Sequence, residues 1–312
     1  MRKIVLYGAG KRGVKAVELL GEKGIEVHAF CDSYKKGEIK LDRGGVIPVY
    51  PIEKLKKNKE EYIVIVTIKD PDENMQMREL LEQYGIEISS MERVIFQNTD
   101  IVEGNRKYVA DWHEDSMEKY YEDAELRCNM KIFWSKQSVF YQMFSKMDVQ
   151  NIVELACGRG RHVPWYVNKA DNITLVDILA KNIEYCRERF EGESKIEYYN
   201  NSGHDLNKLK TEGYTALFTY DAMVHFELID IFEYLRETKR ILKKGGRALF
   251  HHSNNTQDYR ITFFTGVNGR NYMSKDIFAH LVDRAGLKVL EQHVISWGGI
   301  EKLDCVTLVE KL

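Results

Sequence analysis

Apolar residues in the first hundred positions form short continuous runs, separated by stretches in which they recur at helical spacing. The runs at 4–7, 27–31 and 62–67 predict β-strands, and the segment 14–24 predicts an amphipathic helix. Strands that alternate with helices in this way are typical of a parallel sheet covered by helices. We therefore expect residues 1–97 to form a Rossmann-like α/β domain.

A glycine-rich turn separates the first predicted strand from the first predicted helix. It contains Gly8, Gly10 and Gly13, and Asp32 follows the second predicted strand. In dinucleotide-binding domains, such glycines let a phosphate approach the backbone, and the acid accepts hydrogen bonds from ribose hydroxyls. The same residues also suit a domain kept for packing or assembly. Both interpretations stay open at this point.

A mixed segment, 98–147, follows, in which aromatic residues recur at partly helical spacing. We predict connecting helices that cap the next domain, although such aromatic residues also form ordinary core. A second alternating series then begins, which we assign to a domain over 148–312. Its predicted strands are 151–156, 173–178, 196–199, 216–220, 247–252, 288–295 and 304–310, and its clearest helices are 180–190, 229–242 and 274–285.

The last two predicted strands have no helical pattern between them, so we expect an antiparallel hairpin joined by a long loop. Glycine and polar residues follow the first three strands of the series, at the edge where open parallel sheets bind ligands. Glu154 lies in the first strand, and Gly158 and Gly160 after it leave room for a ligand at the backbone. Asp177 ends the second strand and is placed to hold a ribose diol.

The next residues along that edge suit a purine. Ile178 offers an apolar face, while Ser202 and Gly203, after the third strand, offer a hydroxyl and an accessible backbone to an adenine edge. These positions predict a pocket for a nucleoside-containing cofactor.

Three motifs carry a resemblance to a known family. Glu154-Leu155-Ala156-Cys157-Gly158-Arg159-Gly160 resembles motif I of class I S-adenosylmethionine methyltransferases, Leu175-Val176-Asp177 is similar to their ribose-binding motif, and Phe218-Thr219-Tyr220-Asp221 is similar to motif IV. The resemblance covers roughly residues 134–312. It implies a seven-stranded sheet with its last strand antiparallel and S-adenosyl-L-methionine as cofactor. The implied cofactor-binding residues are Glu154, Ala156, Cys157, Gly158, Gly160, Asp177, Ile178, Ser202, Gly203 and Tyr220.

Two further segments, 218–225 and 250–255, look like a branch of that family associated with sugars and cell-surface glycans. Residues 1–97 are similar to the Rossmann-like domain that precedes sugar-modifying enzymes of bacterial polysaccharide pathways, where it can bind a nucleotide-sugar. The resemblance thus implies a small-molecule or sugar hydroxyl as acceptor and a nucleotide-sugar as a partner. Methylation of an amino sugar or another metabolite on nitrogen stays open, as does a non-catalytic, nucleotide-sensing protein.

Methyl transfer from a sulfonium requires in-line alignment, exclusion of water and removal of the acceptor's proton. Histidine suits the last task because its ordinary pKa lies near working pH. His225 follows the fourth predicted strand, and His252 ends the fifth beside the turn at Ser253. Neighbouring strand residues point to opposite faces, so His251 and His252 cannot both face the pocket. We expect His225 or His252 to be the general base.

Asp221 is predicted to support a catalytic histidine. A magnesium site formed by Asp221 with Asn254 or Asn255 is the alternative, but the fifth strand offers no second carboxylate, and we expect no metal. The acceptor side is assigned to the segment 257–272 together with Trp297. Its candidate contact residues are Tyr259, Arg260, Phe263, Phe264, Arg270 and Tyr272.

Composition narrows the choice of partners. Acidic and basic residues number 48 and 46, so no surplus of positive charge indicates a nucleic-acid partner. The five cysteines are scattered and fit neither a disulfide framework nor a zinc site. No apolar run is long enough for a membrane span or a signal peptide. We expect a cytoplasmic protein, and its oligomeric state stays open.

Overall fold

The computed structural model describes residues 2–41, 44–68, 70–95, 100–116, 118–259, 261–263 and 266–312. The chain divides into two compact units, unit 1 (Met1–Gly104) and unit 2 (Asn105–Leu312). The predicted boundary between residues 97 and 98 lies outside the described residues. Across the described ranges, no helix combines the length and the apolar character that a membrane crossing requires.

Unit 1 is built on a six-stranded sheet in the order β3-β4-β2-β1-β5-β6. Its strands are β1 (Lys3–Tyr7), β2 (Val27–Cys31), β3 (Gly37–Lys40), β4 (Val46–Tyr50), β5 (Tyr62–Val66) and β6 (Ile88–Ser89), and its helices are α1 (Lys11–Glu22), α2 (Ile52–Lys57), α3 (Pro71–Gln83) and α4 (Met91–Ile95). All pairings are parallel except that of β3 with β4. The pattern did not predict β3, β4 or β6, and none of these three strands is a fully buried apolar run.

Unit 2 contains a seven-stranded sheet in the order β12-β13-β11-β10-β7-β8-β9. The strands are β7 (Asn151–Leu155), β8 (Asn172–Asp177), β9 (Ile196–Asn200), β10 (Tyr214–Thr219), β11 (Leu242–Ser253), β12 (Lys288–Trp297) and β13 (Ile300–Glu310). β13 runs antiparallel to both of its neighbours, and the other pairings are parallel. The predicted α/β class and the antiparallel last strand are therefore confirmed.

Helices cover both faces of this sheet. They are α5 (Ile101–Ser116), α6 (Glu118–Glu125), α7 (Arg127–Phe133), α8 (Val139–Phe144), α9 (Val163–Tyr166), α10 (Ala180–Arg189), α11 (Leu228–Ile241) and α12 (Lys275–Arg284). An aromatic cluster that includes Phe140, Phe144 and Phe218 fills one face, and residues of α11 and α12 fill the other. Because both faces are buried, the central strands are continuous apolar runs.

The hairpin at the end of the chain corrects one expectation. β12 ends at Trp297 and β13 begins at Ile300, so only Gly298 and Gly299 connect them, instead of a long loop. Both glycines have positive φ, 57° and 81°. Two successive positive φ angles are what a tight hairpin turn requires, and glycine adopts them without strain.

Candidate functional site

The turn after β7 contains three residues with positive φ, a backbone conformation that is unfavourable for most residues other than glycine. Ala156, Gly158 and Gly160 have φ of 55°, 55° and 71°. A Cβ atom added to Gly160 would lie 2.6 Å from Cε2 of Phe190, so a side chain there would clash with the ring. The amide of Cys157 donates to the carbonyl of Val176 (3.0 Å), which fixes the turn to β8. The predicted glycine loop is thus a tight, sterically defined turn at the carboxyl end of the sheet.

Asp177, at the end of β8, is bonded to this turn. Its Oδ2 accepts from the amide of Gly158 (2.8 Å), and its Oδ1 accepts from the amide of Leu179 (2.9 Å) and from Asn182 Nδ2 (3.2 Å). The side chain is buried, and burial raises the pKa of Asp177 to about 6 although these three hydrogen bonds oppose the shift. The structure therefore brings the predicted ribose-binding acid to the glycine loop.

Glu154 lies at the base of the same turn and is 2% exposed. Its Oε2 accepts a hydrogen bond from the Tyr166 hydroxyl (2.7 Å). Burial raises the pKa of Glu154 to about 8, against the opposing effects of Tyr166 and Arg161. Glu154 is therefore a carboxyl group whose charge is sensitive to its surroundings near neutral pH.

The purine side of the predicted pocket is closely packed. A Cβ atom on Gly203 would lie 2.5 Å from Cδ1 of Ile178 and 2.7 Å from Cδ of Arg106. Arg106 forms a two-pronged ion pair with Asp230. The Ser202 hydroxyl donates to Asp205, so it is engaged within its own loop. Sequence analysis gave no indication of Arg106.

Two adjacent tyrosines on α6 lie over the site. The Tyr121 ring is 3.2 Å from the position a Cβ atom on Gly158 would take, and its hydroxyl accepts from Asn182 Nδ2 (3.2 Å). Tyr120 donates a hydrogen bond to Asp221. The aromatic composition of 98–147 indicated a cap, but only the fold assigns one tyrosine to the glycine loop and the other to Asp221.

Asp221 follows β10 with φ of 59°, in the left-handed region. Its Oδ2 accepts from Arg161 Nη2 (3.2 Å), and Arg270 Nη2 lies 4.0 Å from Oδ1. Burial would raise the pKa of Asp221, but Arg161 and the other neighbouring donors and cations hold it below its ordinary value. Asp221 is thus an ion-paired carboxylate.

The magnesium alternative gains no support from this arrangement. The Asn254 side chain donates to the carbonyl of Lys302 (2.9 Å) and accepts from the amide of Lys275 (3.0 Å). Among the residues that the structure describes, no three His, Cys, Asp or Glu side chains are placed to hold a metal ion.

His225 is partly buried at the rim beyond β10. Its Nδ1 donates to the carbonyl of Gly269 (3.0 Å), which leaves Nε2 as the unprotonated ring nitrogen. Burial lowers the pKa of His225 to about 3, with a smaller contribution from His113. The ring packs against Phe263 and His113, with centroids 5.4 and 5.3 Å apart. His225 is therefore a neutral imidazole with a fixed tautomer.

The prediction that His252 reaches substrate is wrong. Its ring is fully buried and stacks on Phe278 of α12 at 3.8 Å. Nδ1 donates to the carbonyl of Ser253 (2.8 Å), and Nε2 accepts from the Thr307 hydroxyl (2.9 Å). Strand geometry continues through Ser253, so the side chain does not leave the sheet where a turn was expected. His251 instead faces Asp221.

The predicted acceptor segment contributes to this side of the sheet. Phe263 packs on His225, and Trp297 lies 6.0 Å from Tyr220 and 4.8 Å from His251, measured between ring centroids. The Tyr220 ring itself stacks on His251 at 4.5 Å. Tyr259 is 75% exposed. Arg260 and Phe264 lie outside the described residues.

In unit 1 the glycine turn is tied to its own acid. Asp32 Oδ2 accepts from the amide of Ala9 (2.8 Å), and Lys35 Nζ donates to the carbonyl of Ala9 (2.6 Å). A Cβ atom on Gly13 would lie 2.0 Å from the carbonyl oxygen of Gly8, whereas one on Gly10 would meet nothing within 4 Å. Packing of helix on strand therefore accounts for Gly13. Nucleotide binding by this loop stays a prediction.

Comparison with known proteins agrees with the geometry of unit 2. Residues 153–250 match a family described as a methyltransferase domain. No curated protein sequence matches the chain. A geranyl diphosphate C-methyltransferase from Streptomyces coelicolor A3(2), solved with Mg²⁺, geranyl diphosphate and S-adenosyl-L-homocysteine, is similar in structure. It has a TM-score of 0.50 at 11% identity, covering 67% of this chain and 98% of that one.

A 1,6-didemethyltoxoflavin-N1-methyltransferase from Burkholderia thailandensis, solved with S-adenosylhomocysteine, gives a TM-score of 0.49 at 13% identity. The match covers 66% of this chain and 86% of that one. At these identities the likeness concerns the fold alone. Residues 153–250 thus match a methyltransferase-domain family, and the seven-stranded sheet that contains them has the class I methyltransferase fold.

Proposed function

We propose that the chain is an S-adenosyl-L-methionine-dependent methyltransferase that acts on a hydroxyl of a small molecule or sugar, with His225 as general base. The observation that carries the role of the base is the hydrogen bond from His225 Nδ1 to Gly269. This bond leaves the Nε2 lone pair as the proton acceptor. The Asp221 carboxylate and the bond to Gly269 favour the protonated form of His225, whereas burial, His113 and Arg270 oppose it and hold its pKa low before reaction.

The residues around the glycine turn suit the proposed cofactor, which supplies a methyl group on a sulfonium. Asp177 has four acceptor positions and uses three of them within the chain, so one is left for a ribose hydroxyl. Glu154 offers a carboxyl group to the cofactor's ammonium group. Gly158 and Gly160 leave the backbone open to the methionine part, beside Ala156 and Cys157.

The remaining contacts of the pocket are assigned by position. Ile178, Ser202 and Gly203 would border the adenine, and Tyr220 would lie beneath the methyl group. Tyr121 and Arg106 now lie against Gly158 and Gly203. Cofactor binding therefore requires these two side chains to withdraw or to become part of the pocket wall.

In the proposed reaction, the acceptor oxygen attacks the methyl carbon in line with the sulfonium sulfur. The new oxygen–carbon bond forms as the carbon–sulfur bond breaks, and the acceptor's proton passes to His225 Nε2. Protonation of His225 would coincide with the loss of the cofactor's positive charge, so the net charge of the site would not change. This exchange offsets the low pKa that burial gives His225 before reaction, and Asp221 stabilises the imidazolium.

The first test is calorimetry with S-adenosylmethionine and S-adenosylhomocysteine, in which absence of binding would refute the proposal. The second is a methyl-transfer screen over nucleotide-sugars, glycans and amino sugars, with mass spectrometry to locate the new methyl group. If the new methyl group is found only on nitrogen, the acceptor is an amine and the proposal of a hydroxyl acceptor is wrong.

With the acceptor from that screen, His225→Ala should lower turnover at least ~10²-fold, the usual range for loss of a general base, while cofactor affinity is kept. His293→Ala is a matched control, because the His293 side chain is half-exposed on β12 and is bonded to Glu291. Turnover of His225→Ala within threefold of the unmodified protein would exclude His225 as the base.

For unit 1 we propose a nucleotide-sugar ligand, on the resemblance of residues 1–97 alone. Asp32 accepts three backbone amides and keeps one acceptor position for a ribose hydroxyl. Calorimetry with nucleotide-sugars on the unmodified protein and on Asp32→Asn tests this ligand. Equal affinity of the two proteins for nucleotide-sugars would show that Asp32 does not contribute to binding.

A further inference from the structure

His251 has both ring nitrogens bonded inside the protein. Nδ1 accepts a hydrogen bond from the backbone amide of Asp221 (3.0 Å), and Nε2 lies 3.1 Å from Asp304 Oδ2. An amide N–H can only donate, so Nδ1 must carry the lone pair and Nε2 must carry the hydrogen. The ring therefore donates to Asp304, and no ring nitrogen is left to take a proton from a substrate.

Asp304 is in turn fixed by Arg270. Arg270 Nε lies 3.1 Å from Oδ1 and Nη2 lies 2.8 Å from Oδ2, a two-pronged pair in which both carboxylate oxygens accept. His251, Asp304 and Arg270 are at most 3% exposed. Both ring nitrogens of His251 and both carboxylate oxygens of Asp304 are hydrogen-bonded. The His251 ring is therefore held in one orientation and one tautomer.

The residue at the end of this chain of bonds is Asp221, whose backbone has φ of 59°. Residues other than glycine adopt this conformation uncommonly, although aspartate does so more readily than most, and a hydrogen bond to its amide favours it further. The bond between this amide and His251 has that effect. It also directs the Asp221 carboxylate toward Arg161, Tyr120 and Arg270.

We propose that His251 and Asp304 are positioning residues for the methyl-transfer site: Asp304 fixes the His251 tautomer, and His251 holds the backbone of Asp221. The role rests on the proposed function, in which Asp221 stabilises protonated His225. A histidine paired with an aspartate beside a site otherwise suggests a general base. Here the pair is directed at a backbone amide instead.

The tautomer can be measured without any substrate. Two-bond ¹H–¹⁵N correlation spectra of the histidine rings, with His251 assigned by His251→Asn, should show the hydrogen on Nε2. A hydrogen on Nδ1 would overturn the proposal. Failure of S-adenosylmethionine to bind would refute the proposed function and would not alter this spectrum, so the two failures are distinguishable.

Three variants test the consequence for Asp221. Asp304→Asn sets an amide N–H against either the His251 Nε2 hydrogen or Arg270 Nε. The first orientation removes the acceptor of the His251 hydrogen and the second weakens the ion pair that fixes it, so exchange of the Asp221 amide should rise in both cases. His251→Asn keeps an oxygen near the position of Nδ1, whereas His251→Gln keeps one only near Nε2. Hydrogen exchange of the Asp221 amide should be at least about tenfold faster in His251→Gln and Asp304→Asn than in His251→Asn.

With the acceptor from the screen, His251→Asn should retain at least about tenfold more turnover than His251→Gln, with S-adenosylmethionine affinity similar in both. Equal turnover and equal Asp221 exchange in the two histidine variants would overturn the proposal. If His251→Gln does not fold, turnover and exchange of the Asp221 amide are compared between Asp304→Asn and the unmodified protein. Equal turnover and equal exchange in those two proteins would overturn the proposal.

Discussion

The two units each contain a glycine turn after their first strand, and in both the acid at the end of the second strand accepts a turn amide at 2.8 Å. The acids nevertheless have opposite properties. In unit 1, backbone amides and Lys35 outweigh burial and hold the pKa of Asp32 below its ordinary value. In unit 2, burial raises the pKa of Asp177 to about 6. Similar motifs therefore place a partly exposed acid of lowered pKa beside the turn in one unit and a buried acid of raised pKa beside the turn in the other.

The difference lies in what surrounds each motif. β1 is apolar after Lys3, whereas β7 contains the buried Glu154, and unit 2 adds helices that lay Tyr121 over Gly158. The bonds that Asp32 and Lys35 make to Ala9 are explained by folding, whether or not the turn also binds a ligand. A turn with two buried carboxyl groups carries a cost in stability that function accounts for.

The largest effect is expected from a glycine in unit 1. Gly13→Ala would place Cβ 2.0 Å from the carbonyl oxygen of Gly8, a contact that only backbone movement relieves. We expect a loss of about 3 kcal/mol in the free energy of unfolding. Gly10→Ala, which meets nothing within 4 Å, should change it by less than about 1 kcal/mol.

Urea titration followed by far-ultraviolet circular dichroism measures both glycine variants. All four tryptophans lie in unit 2, so their fluorescence separates unfolding of that unit from the loss in unit 1. Equal stability of Gly13→Ala and Gly10→Ala would contradict the steric role assigned to Gly13.

The two acids give the next prediction. Asp177→Asn replaces an acceptor by a donor that faces the amides of the turn, and it should weaken S-adenosylmethionine binding about 30-fold, near 2 kcal/mol. Asp32→Asn, the matched change in unit 1, should leave that affinity within about twofold. Calorimetry measures the S-adenosylmethionine affinity of both variants. An equal loss of affinity in both would contradict the assignment of the cofactor site to Asp177 rather than Asp32.

The smallest effect, taken per unit of pH, comes from the ionisation of Glu154. Because the pKa of Glu154 rises from 4.5 to about 8 on folding, the folded protein keeps a proton that the unfolded chain releases. Stability from this group is complete below pH 4.5 and is lost as pH rises toward 8. The free energy of unfolding of unit 2 should fall by up to about 1.4 kcal/mol per pH unit in this window.

Glu154→Gln keeps an oxygen for the Tyr166 hydroxyl but cannot ionise, so its contribution should not vary with pH. Denaturation without cofactor, followed by tryptophan fluorescence between pH 5 and 8, compares it with the unmodified protein. Parallel pH profiles would show that Glu154 is ionised in both states.

Pattern and spacing were enough for several parts of the molecule. The sheet of unit 2, the three central strands of unit 1, the antiparallel β13 and the placement of Asp177 beside the Gly158 turn follow from local runs and from the rule that parallel strands end at one edge. The strands β3, β4 and β6 of unit 1 and the two-residue turn at Gly298 were not predicted. His252 was misplaced because one residue of register decides which face of β11 a side chain occupies.

The sequence by itself determined the α/β class, the glycine turns and the acids beside them, because these depend on short-range order along the chain. Only the tertiary structure decided what each polar side chain meets. Arg161, Arg270 and Tyr120 reach Asp221 from three separate segments, and His251 is turned toward its amide by Asp304. Such contacts join residues far apart in the chain, and their energies depend on burial, which no local pattern records.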